Sequence, residues 1–336
     1  MNDTLVASVA KPRRRTGLLV GSIIGIGLVV LAAGWLWFGR SPARVVEYTM
    51  LDPGDVPTAI AASADGSVWF TIDSANAIGR VRNGKLERFT EEKINGEPIG
   101  LAAAPDGSAW YTDGPAGQIT HIGANGELHS VRLESPVARI GQLAMAPDQS
   151  LWFTEASAYS VTRLKDGVFE RHPIDRIRGV AIGVAVASDG AVWSTLQAAN
   201  QLLRIAPDGS MQTFDIPTRG SSPGDVAVGK DGAVWFLEFR GNKVGRYADG
   251  RFEEFPIGDD PAGLTGLAIA PDGAVWFGML RKGSLGRLKG GKLEEFRLPR
   301  KDARPFNVAV DRDGNVWYTD IRSGLVGMLA AADAKR

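Results

Sequence analysis

The 336-residue sequence contains no cysteine, only three histidines, and equal numbers of basic and acidic residues, 38 of each. The lack of cysteine excludes disulfides, thiolate metal sites and a cysteine nucleophile. With no net charge and no basic run beyond the N-terminus, the sequence argues against a nucleic-acid partner. The HExxH, GxSxG and Walker motifs are missing as well, which removes the common signatures of zinc proteases, serine hydrolases and nucleotide-binding proteins.

Long hydrophobic runs are also scarce, with one exception at residues 17–38, where 22 residues follow one another without a charge. About 20 apolar residues span a bilayer, so this segment predicts a transmembrane signal-anchor helix. Lys11, Arg13, Arg14 and Arg15 precede it, which predicts a cytoplasmic tail at 1–16, a linker at 39–44 and the remaining chain on the periplasmic or extracellular side of a bacterial inner membrane. A cleaved signal peptide is the alternative interpretation.

Three glycines in the anchor, Gly17, Gly21 and Gly25, are spaced by four residues and share one helix face. This doubled GxxxG pattern lets two helices pack closely, so it raises the possibility of a dimer. Glycine is also common in membrane helices without any such role, and this second interpretation stays open.

Seven variants of one phrase fill the rest of the chain, among them "SADGSVWFTI", "APDGAVWFGM" and "DRDGNVWYTD". Their tryptophans follow one another at intervals of 41 or 42 residues: Trp69, Trp110, Trp152, Trp193, Trp235, Trp276 and Trp317. A period in the forties, with alternating apolar residues and Asp-Gly turns, indicates one propeller blade per repeat. The prediction is an all-β, seven-bladed β-propeller over 45–330, followed by a tail at 331–336, with the tryptophans packed between adjacent blades.

Each repeat reads as four strands, A to D, and strand D carries an aromatic slot 21 residues before the next tryptophan. Tyr48, in "VVEYTM", has this spacing from Trp69, although no strand A, B or C precedes it. The last repeat stops after its strand C. We therefore expect "VVEYTM" to supply the outermost strand of blade 7 and close the ring.

The combination of "LWFTE", "GNKVGR" and "FEEFPI" across seven repeats resembles the streptogramin lyase family, of which virginiamycin B lyase is a member. The resemblance covers residues 45–330. It implies an enzyme that opens a cyclic depsipeptide by elimination at its ester, with Mg²⁺ held by glutamates and a histidine as base near the mouth of the central channel.

Position by position, this chain departs from that implied site. Thr265 stands where the resemblance implies a histidine in blade 6, and Arg304-Pro305-Phe306 stands where it implies Glu-Pro-His in blade 7. Asp320 lies near the place of a further implied glutamate, with Ile321 as the alternative register, and is the candidate metal ligand if a Mg²⁺ site survives. His121, His129 and His172 fall on strands C and D, far from the channel, where a structural role is expected.

The residue three positions after the blade tryptophan is acidic in four repeats, as Asp113, Glu155, Glu238 and Asp320. Such carboxylates either bind a ligand at the channel mouth or accept hydrogen bonds from the loop backbone. The sequence thus favours a family member that binds a small molecule or an envelope protein through Asp113, Glu155, Glu238, Thr265, Arg304, Phe306 and Asp320, without a cofactor. The alternative is a divergent lyase of the carbon–oxygen type that uses Mg²⁺; catalytic residues are not assigned, and whether the chain is an enzyme stays open.

Overall fold

A computed structural model describes residues 44–90, 97–133 and 139–334. These residues form seven four-stranded antiparallel sheets. In six of them, each strand pairs with the strand next to it in the chain, and in the seventh the first strand of the chain pairs with the last. The innermost strands of adjacent sheets contact one another around a ring. The structure is therefore the predicted all-β, seven-bladed propeller.

The strands follow the chain in blade order. Blade 1 comprises β2 (Pro57–Ala62), β3 (Val68–Ile72), β4 (Ala77–Arg82) and β5 (Lys85–Thr90); blade 2, β6 (Pro98–Ala103), β7 (Ala109–Asp113), β8 (Gln118–Ile122) and β9 (Leu128–Arg132); blade 3, β10 (Ile140–Met145), β11 (Leu151–Glu155), β12 (Ser160–Lys165) and β13 (Val168–Pro173); blade 4, β14 (Ala181–Val186), β15 (Val192–Leu196), β16 (Gln201–Ile205) and β17 (Met211–Asp215). Blade 5 comprises β18 (Pro223–Val228), β19 (Val234–Glu238), β20 (Lys243–Ala248) and β21 (Arg251–Pro256); blade 6, β22 (Leu264–Ile269), β23 (Val275–Met279), β24 (Ser284–Lys289) and β25 (Lys292–Arg297); blade 7, β26 (Pro305–Val310), β27 (Val316–Asp320), β28 (Leu325–Leu329) and β1 (Val45–Thr49).

The Asp-Gly pair of the repeated phrase makes the turn between strands A and B. In blade 6, Asp272 Oδ1 accepts the amide of Ala274 at 3.1 Å, and the amide of Gly273 donates to the carbonyl of Ala270 at 2.9 Å. Gly273 has φ of 78°, which favours glycine because a side chain is strained there. We call the face that carries these A–B turns and the C–D turns the lower face, and the face with the B–C and D–A loops the upper face.

Ring closure is confirmed by the pairing of β1 with β28. All five residues of β1 pair in antiparallel register, from Val45 opposite Leu329 to Thr49 opposite Leu325. Tyr48 stacks on Trp317 with ring centroids 5.8 Å apart. Beyond the last strand, a short helix α1 (Ala331–Ala334) lies within the segment expected to be a tail, and its Asp333 Oδ2 accepts the amide of Arg44 at 3.0 Å.

The blade tryptophans pack between blades, as expected. Trp276 shares an apolar cluster with Val308, Val316 and Tyr318 of blade 7, and the Nε1 of Trp69 donates to the carbonyl of Gly107 in blade 2 at 3.1 Å. Most of them also contact the ring in the strand D slot of their own blade, as Trp235 does by stacking on Phe255 with ring centroids 5.8 Å apart. Each indole therefore fixes both the blade interior and the contact with the next blade.

Two histidines take part in these aromatic contacts, in agreement with their expected structural role. His172 fills the strand D slot of blade 3 and stacks on Trp152 at 5.2 Å. In blade 2 the slot holds Val131, and His121 of strand C contacts Trp110 instead, at 4.7 Å.

Threonines of the second strands link adjacent blades through the backbone near the channel. Thr112 Oγ1 accepts the amide of Gly100 at 2.8 Å in its own blade and donates to the carbonyl of Gly141 in blade 3 at 2.7 Å. Thr71, Thr195 and Thr319 also accept an innermost-strand amide of their own blade. Leu237 and Gly278 occupy this position in blades 5 and 6, where Asp225 and Thr265 provide the link to the next blade's backbone instead.

No helix among the described residues has the length and apolar composition needed to cross a membrane. The predicted anchor at 17–38, its glycines and the cytoplasmic tail at 1–16 lie outside the described residues.

Candidate functional site

The upper ends of the seven innermost strands surround the opening of the central channel. One residue per blade, always 11 positions before the blade tryptophan, lies second in its strand. We call these seven residues the channel mouth: Thr58, Ile99, Gly141, Ile182, Gly224, Thr265 and Phe306.

Three of the seven mouth residues have large apolar side chains, Ile99, Ile182 and Phe306. Ile99 and Phe306 keep 38% and 39% of their surface exposed, which is high for large apolar residues in a packed β-sheet. Phe239, from the B–C loop of blade 5, covers Gly224, because a side chain added at that glycine would collide with the phenyl ring. The mouth and this loop together therefore present two phenyl rings, Phe306 and Phe239, and the side chains of Ile99 and Ile182, besides two threonines.

Blades 6 and 7 bring together four of the predicted site residues. Thr265 Oγ1 donates to the carbonyl of Pro305, which lies between Arg304 and Phe306, at 2.9 Å. Pro305 pairs with Asp320 across β26 and β27, and the amide of Arg304 donates to Asp320 Oδ2 at 3.1 Å. Thr265, Arg304, Phe306 and Asp320 thus form one cluster.

Asp320 uses both carboxylate oxygens within its own blade. Besides the bond from Arg304, its Oδ1 accepts the amides of Arg322 and Ser323, both at 2.9 Å. The residue is 1% exposed. Asp320 therefore organises the B–C loop and the entry to β26 rather than presenting a free carboxylate to the mouth.

Asp113 has a similar position and role in blade 2. It is fully buried, and its Oδ1 accepts the amides of Glu97 at 3.3 Å and Ala116 at 3.1 Å. Its Oδ2 has no hydrogen-bond partner, and burial raises the pKa of Asp113 although the two backbone bonds oppose the rise. These contacts are those of a loop-stabilising carboxylate.

Glu155 in blade 3 is paired with a cation. Arg171 of strand D donates to it with Nε at 2.9 Å and Nη2 at 3.2 Å, a bidentate geometry, and Thr162 Oγ1 adds a bond at 3.0 Å. Glu155 is 1% exposed, so the glutamate end of this ion pair is buried, whereas the Arg171 side chain is 42% exposed.

Glu238 in blade 5 is different, because neither carboxylate oxygen has a hydrogen-bond partner although the residue is fully buried. Strand D carries Glu254 where blade 3 has Arg171, and Lys243 donates to Glu254 Oε2 at 2.7 Å. Burial, together with the charge of Glu254, raises the pKa of Glu238 to about 7 against the opposing effect of Lys243. Glu238 is therefore mostly protonated, and so uncharged, at pH values below about 7.

The four acidic residues thus lie in four different blades, each buried at the upper end of its second strand. The described residues include no group of three or more His, Asp or Glu side chains arranged to hold a metal ion. A role for Asp320 as a Mg²⁺ ligand, and for the other carboxylates in ligand binding, stays a prediction.

Sequence reasoning missed the apolar residues Ile99, Ile182 and Phe239. The first two carry a signal that was available, since they share with Thr265 and Phe306 the spacing of 11 residues before a blade tryptophan. Phe239 carries none, because it reaches the mouth from a loop and only the missing side chain of Gly224 makes room for it.

Comparison with known proteins places this architecture among its relatives. The model of the virginiamycin B lyase family matches residues 38–164 and 84–335. The virginiamycin B lyase of Nocardia farcinica is 36% identical over 220 residues, which cover 65% of this chain and 75% of that protein. A catalytically inactive histidine-to-alanine variant of the Staphylococcus aureus virginiamycin B lyase, solved with quinupristin, is 26% identical with a TM-score of 0.80, over 85% of this chain and 99% of the other. A streptogramin B lyase structure matches at 25% identity with a TM-score of 0.80, over 85% and 96% of the two chains.

Proposed function

Since the chain belongs to the virginiamycin B lyase family, we propose that its propeller binds an apolar ligand of the cyclic-peptide class at the channel mouth and does not cleave it. The observation that carries this proposal is the exposure of three large apolar side chains, Phe306, Ile99 and Phe239, at the upper ends of blades 7, 2 and 5. Such a surface binds apolar rings by removing them from water.

The residues around Asp320 do not fit a magnesium ion, which supports binding without lyase chemistry. Mg²⁺ needs oxygen ligands in octahedral geometry, and both Asp320 oxygens already accept backbone amides. The adjacent position holds Arg304, a cation that opposes a second cation, and the neighbouring mouth positions hold Thr265 and Phe306. No reaction step through a metal is therefore derived for this chain.

A divergent lyase is the second candidate, favoured by the 36% identity to a virginiamycin B lyase. The histidines do not supply its base at the mouth, because His121, His129 and His172 lie on β8, β9 and β13, the outer strands of blades 2 and 3. Under this candidate a different group would have to remove the proton.

The location of the propeller is proposed from the N-terminal segment. An uncharged stretch at 17–38 behind four basic residues supports a single-pass anchor in a bacterial inner membrane, with the propeller on its outer side. The spacing of Gly17, Gly21 and Gly25 supports a dimer through the anchor. Carbonate-washed membranes are expected to retain the full-length protein, whereas release of a product that starts near Arg44 would support a cleaved signal peptide.

Quinupristin, the streptogramin named with the Staphylococcus aureus structure, is the probe for both candidates. Full-length protein is titrated with it, with and without Mg²⁺, while binding is followed by calorimetry and linear product by mass spectrometry. We expect saturable binding and intact ligand. Phe306→Ala is expected to weaken binding about tenfold, since burying a phenylalanine contributes about 1.5–3 kcal/mol.

Val168→Ala is the matched control, because Val168 is an exposed apolar residue (68%) at the lower end of blade 3, away from the mouth. The Val168→Ala variant is expected to bind quinupristin with the same affinity as the unmodified protein. Mg²⁺-dependent linear product that disappears in Asp320→Ala would overturn the proposal in favour of the lyase. Absence of both binding and product would remove cyclic peptides as the ligand class.

A further inference from the structure

Cations are concentrated on the upper face of blades 5 to 7. The position five residues after the blade tryptophan holds an arginine in these three blades, as Arg240, Arg281 and Arg322. In blades 1 to 4 the same position holds Ser74, Pro115, Ser157 and Ala198. The repeat therefore does not require a cation there. On the lower face, by contrast, each of the seven A–B turns carries an aspartate.

Five cations of this region are exposed and have no ion-pair partner within residues 44–90, 97–133 and 139–334. We call them the basic crescent, formed by Arg219, Lys301 and Arg304 of the D–A loops and by Arg240 and Arg281 of the B–C loops. Two neighbouring cations are already paired, Arg300 with Glu47 at 2.9 Å and Arg322 with Asp302 at 3.7 Å.

Few carboxylates offset the basic crescent. The loop that leads into blade 6 carries Asp259 and Asp260, both exposed and without an ion pair in the described part of the chain. Against them stand the five cations of the crescent. The upper face of blades 5 to 7 therefore has an excess of positive charge, which attracts anionic groups.

The loops that carry the crescent have their backbones fixed. The amide of Arg240 donates to the carbonyl of Ser221 at 2.9 Å, and the amide of Arg281 donates to the carbonyl of Ala262 at 2.9 Å. Each bond joins a B–C loop to the D–A loop beside it. The cations thus extend from an ordered backbone, which reduces the ordering cost of binding a partner.

The crescent lies around an apolar centre. Phe306 is on the innermost strand of blade 7 and is 39% exposed, and Phe239, 37% exposed, covers Gly224 on the innermost strand of blade 5. The B–C loops join the second and third strands of a blade, so the backbones of Arg240 and Arg281 lie farther from the channel axis than the mouth. Aromatic residues at the centre and a polar rim, with arginine enriched, are typical of protein interfaces.

We infer that the upper face of blades 5 to 7 docks an acidic peptide segment of a partner protein. An aromatic or aliphatic side chain of the segment enters the channel mouth, and its carboxylates pair with the basic crescent. Guanidinium groups suit this role because they bind a carboxylate through two parallel hydrogen bonds. The inference rests on the proposed function, since it uses the same apolar mouth, and it adds the charge and the polypeptide nature of the partner.

A planar anionic membrane fits this surface less well. Phe306 lies at the end of an innermost strand, inside the circle of loops, so a flat bilayer would meet the loops before the ring. A peptide segment, in contrast, can place one side chain in the mouth while its neighbours stay on the rim.

Fluorescence anisotropy of a short labelled peptide with alternating glutamate and phenylalanine tests the inference on the full-length protein. The matched neutral peptide has glutamine in place of every glutamate. We expect saturable binding of the acidic peptide and at least about tenfold weaker binding of the neutral one. The affinity for the acidic peptide should also fall when the salt concentration is raised, because salt screens exposed charges.

The triple variant Arg240→Gln/Arg281→Gln/Arg304→Gln is expected to lose about tenfold in affinity for the acidic peptide, since three exposed charge pairs are removed. Its affinity for the neutral peptide should change little. Arg251→Gln is the control, because Arg251 is an exposed arginine at the lower end of the same blade 5. This variant is expected to bind the acidic peptide as the unmodified protein does. All four substitutions change exposed side chains without ion pairs among the described residues, so the variants are expected to fold.

The titration with quinupristin separates this inference from the proposed function. Binding of quinupristin without binding of the acidic peptide overturns the inference alone, whereas binding of the peptide without quinupristin supports the inference and removes only the cyclic-peptide class. The inference is also overturned if both peptides bind equally or if the triple variant keeps full affinity for the acidic peptide.

Phosphatidylglycerol vesicles test the membrane alternative by cosedimentation with the unmodified protein and with the triple variant. The predicted anchor is common to both proteins, so any difference between them reports on the upper face. Vesicle binding that depends on the three arginines, in the absence of peptide binding, would identify a membrane as the partner and overturn the inference.

Discussion

Residues at the same position of the repeated phrase have different partners in different blades, as Glu155 and Glu238 show. Both end a second strand and both are buried. Arg171 pairs with Glu155, whereas the matching strand D position beside Glu238 holds Glu254, whose charge adds to the effect of burial in raising the pKa of Glu238. The repeat predicts the carboxylates, but the identity of the strand D partner decides whether each is an ion pair or a neutral acid.

The raised pKa of Glu238 predicts a pH dependence of stability. Burial and the charge of Glu254 raise the folded-state pKa of Glu238 to about 7, above the usual 4.5 of a glutamate. The stability contributed by the protonated carboxyl is therefore fully present below about pH 4.5 and is lost as pH rises through about 7. The loss amounts to about 3 kcal/mol at most. Glu238→Gln is expected to unfold at higher denaturant concentration than the unmodified protein at pH 8, and with little difference at pH 4.5.

Denaturant unfolding at both pH values measures this effect. The control is Glu253→Gln, on the exposed side of the same strand D, where Arg246 is the partner. It should keep the pH dependence of the unmodified protein. An equal response of the two variants at pH 8 would contradict the role assigned to Glu238.

Pairs of strands from neighbouring blades are held together by the second-strand threonines as well as by the tryptophans. The tryptophan contacts could be predicted, since large flat side chains at a fixed period indicate packing between repeated units. The threonine bonds could not, because the residue after "WF" or "WY" gives no sign that its hydroxyl reaches the backbone of the next blade. The same limit applies to Asp225, which replaces the threonine link in blade 5 from a different strand.

Thr112→Val tests the link between blades 2 and 3. Valine fills the same volume but leaves the amide of Gly100 and the carbonyl of Gly141 without their hydroxyl partner in a fully buried site. Leaving buried polar groups unpaired costs about 1–3 kcal/mol, so the free energy of unfolding should fall by that amount. Thr112→Ser keeps the hydroxyl, so its free energy of unfolding should fall less. An equal fall for the two variants would show that the methyl group matters and the hydrogen bonds do not.

The whole ring was the most predictable feature, because the period of 41 or 42 residues and the phase of Tyr48 depend on geometry that every blade shares. Four strands per blade and the closure by β1 agree with the structure. The site was less predictable, since it depends on how blades differ. The sequence left open whether Asp320 binds a ligand or accepts hydrogen bonds from the loop backbone, and the backbone amides of Arg304 and Arg322 do donate to it. Ligand binding by Thr265, Arg304 and Phe306 stays a prediction.

Closure by β1 makes the stability of the whole ring depend on five residues. Replacing Tyr48 with alanine removes its stacking on Trp317, and deleting 44–51 exposes the edge of β28. We expect the substitution to lower the melting temperature by a few degrees. The deletion should lower it far more, because an open ring loses the contact between its first and last blades. Circular dichroism measures both melting temperatures. Equal melting temperatures for the deletion and the unmodified protein would contradict this role.

The pairing of Tyr48 with Val326 also has a consequence for the order of folding. A strand made early in synthesis has to wait for its partner until almost the entire chain has been produced. During that interval β1 has no sheet to join, and the contact that finally forms spans one of the longest sequence separations in the molecule. Contacts of this kind slow folding, and unpaired strands invite association with other chains. The ring is therefore expected to close last, as a distinct slow step after the middle blades have formed.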